Sequence, residues 1–266
     1  MAVRIEPGRS GDEADALRLR ALRERIQALA ARGRAGKGRH LHDALLDMLA
    51  DGYWRPGERL PGERELAQYL AISLGTAQSA MRRLAAAKLV ERRRGAGTFV
   101  TNADDLASGA WHFRFRSPRG GQLMPLAIAV IDIGECALAG PWTEFLQPAA
   151  GLIRIRRQVI VGEAFTTWSE VFLDAMRFRP LLDLTPEFLS RQNLRIFLHE
   201  RYNAPTLRAV HRLRHVAAGA EIAPRLRLPE GERVLLMHAL GFGYHDAPIS
   251  FQRIYIPPVD FELEIT

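Results

Sequence analysis

Between residues 40 and 100, apolar side chains recur at helical spacing three times, and a turn cuts each run short. Leu41, Leu45, Met48 and Leu49 share one helical face that ends at Asp51-Gly52. Pro56-Gly57 and Pro61-Gly62 punctuate the next stretch, after which Leu66, Ala67 and Leu70 predict a second short helix with Gly62 as its N-cap. A third starts at Ser73, whose hydroxyl suits an orphan first-turn amide, and Ala77, Ala80, Met81 and Leu84 recur at i, i+3, i+4 and i+7. Leu89-Val-Glu-Arg and Thr98-Phe-Val-Thr then flank a glycine-rich turn, the pattern of a two-stranded hairpin.

Three short helices and a hairpin within about sixty residues make a winged helix-turn-helix, which sets one helix in the major groove of DNA. With its apolar stripe buried, the third helix presents Leu74, Gly75, Thr76, Gln78, Ser79 and Arg82. Gln78 can pair bidentately with adenine, Thr76 or Ser79 can reach base edges or phosphate, and the helix N-terminus near Ser73 attracts phosphate. Arg92, Arg93 and Arg94 would add salt-sensitive attraction from the wing. A triple arginine alone is more often a solvated surface; beside this helix and the turn at Gly95 and Gly97 it points to a polyanion.

Charge supports that division. Residues 1–101 carry 19 Lys+Arg against 12 Asp+Glu, whereas 102–266 carry 18 of each, so the whole net charge of +7 belongs to the first part. A basic block joined to a neutral one suggests a nucleic-acid binder attached to a module with another task. The 266 residues are enough for two domains, each with its own core. Cys136 is the single cysteine and forms no internal disulfide, and the opening residues lack an export signal, so a cytoplasmic location is expected. The longest apolar run, Leu123 to Trp142, holds Pro125, Asp132 and Glu135 and reads as strand and loop, not a membrane span.

Residues 12–30 place Leu19, Leu22, Ile26 and Leu29 at helical spacing, and Arg32 to Arg39, with three glycines, reads as a flexible basic linker. The expected organisation is an N-terminal extension over 1–37, the winged helix-turn-helix over 38–101, a linker over 102–119 and a second domain over 120–266. In that domain Ile153 and Ile155 alternate with Arg154 and Arg156, and Ile254 and Ile256 with Arg253 and Tyr255, so one strand face is core and the other is free to line a pocket. Helical patterns around 178–201 and 217–226 separate such strands. The economical architecture is α+β: an antiparallel sheet with packed helices.

The segments Leu60-Pro-Gly-Glu-Arg-Glu-Leu-Ala67, Ser73 to Leu84 and Leu89 to Val100, in this order, resemble the GntR family of bacterial transcription regulators. The resemblance implies a homodimer that binds an operator of related half-sites in double-stranded DNA and changes its grip when a small effector occupies the C-terminal domain. It places Arg64, Thr76 and Gly95 at positions the family uses for DNA. Gly62 stands where the family usually has Ser, and Leu74 and Gln78 where it often has Arg, which implies a changed operator with Arg82 and the wing compensating. Leu152 to Phe165, Leu198 to Leu228, Val234 to His238 and Ala247 to Pro258 are similar to the UTRA effector domain of the HutC-type subfamily, whose fold resembles chorismate lyase. That similarity implies an effector site built from Arg154, Arg156, Trp168, Glu170, Ser250 and Tyr255. Gln158 replaces a second arginine and Trp168 an acid of the subfamily pattern, which favours a ligand with less charge than a phosphosugar and a larger apolar face.

Two other classes compete with a regulator. A lyase-like enzyme would need a nucleophile with a base, a phosphate loop or a metal cluster, and the sequence offers none of these; no cofactor or metal is expected. His211 and His215 lack a third ligand. A non-specific architectural DNA-binding protein would explain the basic block but has no use for a neutral C-terminal domain.

Overall fold

The structure, a computed structural model, describes residues 11–33, 36–101, 113–118 and 121–265. It divides into two compact units, 1–106 and 107–266.

The first unit contains α1 (Gly11–Arg32), α2 (Lys37–Ala50), α3 (Glu63–Leu70), α4 (Leu74–Ala86) and the antiparallel hairpin of β1 (Val90–Arg93) and β2 (Gly97–Val100). Leu22, Leu45, Met48, Leu66, Met81 and Leu84 are wholly buried and close one core over all four helices. At about 1.5–3 kcal/mol for each such side chain, they outweigh the poor intrinsic stability of helices this short. The basic linker expected over 32–39 is shorter than predicted: α1 runs to Arg32 and α2 begins at Lys37, with Gly36 extended at its N-cap. Buried His40 and Leu41 anchor that first turn, a signal masked by the glycines around it. Helix α1 belongs to the core. Arg18 donates to the Tyr53 carbonyl at 2.9 Å and pairs with Glu58 at 2.6 Å, and the Arg23 guanidinium lies 4.1 Å from the Tyr69 ring centre.

The second unit is built on a six-stranded antiparallel sheet in the order β4-β5-β6-β9-β8-β7. Its strands are β4 (Leu126–Cys136), β5 (Leu152–Val161), β6 (Phe165–Asp174), β7 (Arg208–Ala217), β8 (Arg233–Phe242) and β9 (Pro248–Ile256). A separate pair joins β3 (Phe113–Arg116) to β10 (Glu262–Ile265). The linker expected over 102–119 is therefore part strand. Phe113 and Phe115, each 2% exposed, bury against Val159, Val161, Met237 and Ile254, an alternation too short to be read as a strand from sequence.

The two faces of the sheet differ. Ile153, Ile155, Val171 and Leu173 turn to one side, where α6 (Ala175–Phe178), α7 (Pro186–Ser190) and α8 (Leu194–Tyr202) cover them. The β3–β10 pair covers the rest of that side. The other side carries Arg154, Arg156 and Gln158 of β5, Trp168 and Glu170 of β6, and Arg253 and Tyr255 of β9, brought side by side by the strand register. Helix α5 (Pro141–Leu146) packs Trp142 and Leu146 on one end of this polar face, and α9 (Ala223–Leu226) closes the other end.

Candidate functional site

In the first unit, the site begins at the α3–α4 turn. Ser73 caps α4: its Oγ accepts from the Thr76 amide at 3.1 Å and lies 2.8 Å from Thr76 Oγ1. The next turns present Leu74 and Gly75, both exposed, then Gln78 and Ser79, partly exposed, and Arg82, exposed. Ala77, Ala80, Met81 and Leu84 are all buried, so the helix has one committed face and one open face. Arg64 stands exposed in the first turn of α3. Along the wing, Val90 pairs with Val100 and Arg93 with Gly97. Gly95 and Gly97 have φ of +75° and +119°, and a Cβ at Gly97 would lie 2.8 Å from Arg59 Nε, so this corner requires glycine. The three wing arginines are not equivalent. Arg92 is tied to Glu63 of α3, Arg93 lies over the Phe99 ring at 4.8 Å, and Arg94 stands exposed at the tip.

In the second unit, the polar face holds a fully buried carboxylate, Glu170, between Arg253, with which it forms an ion pair, and Arg154 at 3.7 Å. Arg156 pairs with Asp132 of β4. Arg253 lies 4.7 Å from the Trp142 ring centre, and that indole stacks on Phe172 at 4.0 Å. His238 stands opposite both Arg253 and Arg212 in the ladder. Burial, then Arg214, Arg253 and Arg212, hold its pKa below the usual 6.5. Burial likewise raises the Tyr255 phenol, so it stays a neutral hydrogen-bonding group at physiological pH. The face offers convergent cations, two matched acids, Glu170 and Asp132, and aromatic walls, a composition suited to a small ligand with one acidic group and an apolar body.

The structure brings together Arg154, Arg156, Glu170, Trp168 and Tyr255, as the alternation requires, and separates Ser250 from them. Ser250 lies two residues from Gln252, which is opposite Val171, so both turn to the helix-covered side of the sheet. Trp168 is 2% exposed, enclosed by Ala218, Ile222 and Val234 and covered by the Arg225 guanidinium at 4.1 Å. It is part of the floor. Arg253, which fixes Glu170, was legible only as a strand residue on the face of Tyr255. Arg157 was missed, although its odd position alongside Ile153, Ile155 and Val159 already puts an arginine on the apolar parity. His211 and His215 both lie on β7, and four residues of strand separate them by roughly 13 Å, too far to share a metal. Among the described residues, no group of His, Cys, Asp and Glu is arranged to hold a metal, and no helix is long and apolar enough to cross a membrane.

Comparison with known proteins bears on both units. Residues 37–100 match the profile of bacterial regulatory proteins of the gntR family, and residues 144–262 match the UTRA domain. The first unit thus carries a gntR-family region and the second a UTRA domain. The chain is similar to the HTH-type transcriptional regulator SmoD of Agrobacterium fabrum, at 30% identity over 132 residues. This match covers 50% of the chain and 55% of SmoD, so the chain spans about half the length of that relative. The fold is also similar to a crystal structure described as the ligand-binding domain of a GntR-family transcriptional regulator from Bordetella bronchiseptica. There the TM-score is 0.51 at 24% identity, over 57% of this chain and 95% of that one. A GntR-type helix-turn-helix followed by a UTRA antiparallel sheet with packed helices is thus the architecture of this chain.

Proposed function

We propose that this protein is a cytoplasmic, homodimeric transcription repressor that grips a two-fold operator through α4 and its wing and changes its grip when a small acid occupies the polar face of the sheet. The observation that carries the reading is the division of α4. Its inner stripe is committed to the core, while Gly75, Thr76, Gln78 and Arg82 are left at the surface behind a capped N-terminus. Arg64, Arg93 and Arg94, with the turn at Gly95 and Gly97, supply phosphate contacts around it. Residues of two operator half-sites one helical turn apart call for two copies of the headpiece, which favours a dimer.

On the sheet, Arg154 and Arg156 hold the acidic group of the effector, Glu170 orients the first and Asp132 the second, and Tyr255 meets its apolar body. Trp168 supports that wall from beneath. Ser250 is not part of this site, because it faces the other way. The protein binds its effector without turning it over: His211 and His215 are split along one strand, and the buried acid of the face, Glu170, is already matched by two arginines.

Footprinting of the DNA flanking the protein's own gene tests the reading. A protected sequence with two-fold symmetry is expected, weakened or shifted by a small acid that also raises the melting temperature and is recovered unchanged. Uniform coating of that DNA and of random DNA with the same affinity would instead support the architectural reading and sink this one.

A further inference from the structure

The first unit holds a cavity that the proposed DNA-contact surface does not use. It has a volume of about 360 Å³ and lies between α1, α2 and the end of α3. That is inside the range of roughly 300–1,000 Å³ typical of small-ligand pockets. Ile26 of α1, Leu41 of α2, and Leu70 and Ile72 at the α3–α4 turn supply apolar lining, and Arg23, Lys37 and His40 supply polar lining. Helix α1 precedes the 37–100 stretch that matches the gntR profile, so one wall of the cavity comes from outside it.

Three observations give the cavity a chemistry. His40 is 8% exposed, yet its ring has no hydrogen-bond partner among the described residues. A polar ring this enclosed calls for a partner from whatever fills the space beside it. Lys37 stands exposed in the first turn of α2, and the N-cap there, Gly36, offers no side-chain acceptor. Its cation adds to the positive end of the helix dipole, an arrangement that an anion relieves. No aspartate or glutamate stands among the described residues that line the cavity, so the protein does not supply that anion there. Third, the Arg23 guanidinium donates to the Tyr69 carbonyl and lies 4.1 Å from the centre of the Tyr69 ring, which fixes an aromatic side chain in the wall. A second ring set against it gains about 0.5–1.5 kcal/mol beyond its burial.

From this geometry we infer that the cavity binds a monocarboxylate built on one or two aromatic rings. Its carboxylate lies between Lys37 and His40, where the ammonium supplies the charge and the imidazole donates through its protonated nitrogen. Its rings lie against Ile26, Leu70 and Ile72, beside Tyr69. The site shares no residue with the sheet face of the second unit and stands independently of the effector reading made for that face.

The test is a calorimetric titration of the full-length protein with naphthoate, beside naphthylmethanol, hexanoate and inorganic phosphate. Naphthoate is expected to saturate, and the neutral alcohol and the ringless acid to bind about tenfold more weakly or worse. Phosphate should not compete. In an NMR titration, the imidazole signals that His40→Gln removes should be those that move with naphthoate. Lys37→Met keeps the stem and should weaken naphthoate about tenfold. Ile26→Trp fills the cavity and should abolish binding; because Lys37 is exposed, its variant keeps the site testable if Ile26→Trp fails to fold. Arg156→Ala, in the second unit, should leave the His40 response intact. No saturable binding of naphthoate, equal binding of the alcohol or of hexanoate, competition by phosphate, His40 signals that stay still, or an affinity lost in Arg156→Ala but kept in Lys37→Met would each overturn the proposal.

Discussion

The two units treat arginine in opposite ways. In the first, Arg64, Arg82 and Arg94 stand at the surface, and bound arginines such as Arg18 and Arg92 tie one element of the unit to another through Glu58 and Glu63. In the second, Arg154 and Arg253 converge on the fully buried Glu170, and Arg157 lies within the sheet–helix layer. Exposed cations act additively and through solvent, which suits a long polyanion. Enclosed ones act at short range and must be matched one by one, which suits a small ligand or an internal acid. Net charge alone could not reveal this, because residues 102–266 are neutral while holding almost as many arginines and lysines as residues 1–101.

The largest effect expected from this contrast is inside the sheet. Glu170→Ala removes the acid that both Arg154 and Arg253 share, and should destabilise the protein by about 3–5 kcal/mol in chemical denaturation. A loss below about 1 kcal/mol would mean that these arginines are solvated, and the contrast would collapse. A smaller effect is expected in the headpiece. Gln78→Ala should cost about 1–3 kcal/mol of discrimination at one operator position, whereas Arg94→Ala should weaken every DNA sequence alike and reduce the salt slope by about 0.9. Quantitative gel shifts at several salt concentrations separate the two, and a uniform loss in both variants would refute the division of labour along α4 and its wing.

The smallest effect is a titration. His238 has a folded-state pKa below its ordinary 6.5, so its neutral form contributes stability that is present above pH 6.5 and is lost as the pH falls. The ligand-free protein should therefore lose stability below about pH 6.5, and less so as His238→Gln. An anion on the face offsets Arg212, Arg214 and Arg253, and should move the His238 pKa upward in an NMR titration.

Much of this was legible in the sequence, for reasons that are local. The stripe Ala77, Ala80, Met81 and Leu84 and the cap at Ser73 depend on neighbours three or four residues away, and these fix both the helix and its open face. The alternation of Ile153 and Ile155 with Arg154 and Arg156 fixes which side chains share a sheet face, which is why five of the six proposed effector residues lie together. Ser250 shares the parity of Ile254 and Ile256, so the same alternation puts it on the core side; the resemblance, not the strand pattern, assigned it to the effector site. Strand β3 escaped because its four residues acquire meaning only beside β10. The length of α1 and the early start of α2 depended on tertiary anchors, Arg18 on Tyr53 and Glu58 among them.

One contact on the sheet has a practical consequence. The Trp142 indole stacks on Phe172 with the guanidinium of Arg253 beside the stack, and Trp168 lies under that of Arg225, so two tryptophans of the second unit carry a cation near the ring. Any occupant that pulls either guanidinium aside alters the electric field on a fluorescent ring. The protein thus contains its own optical reporter, and ligand libraries can be screened by intrinsic emission without a dye or a label.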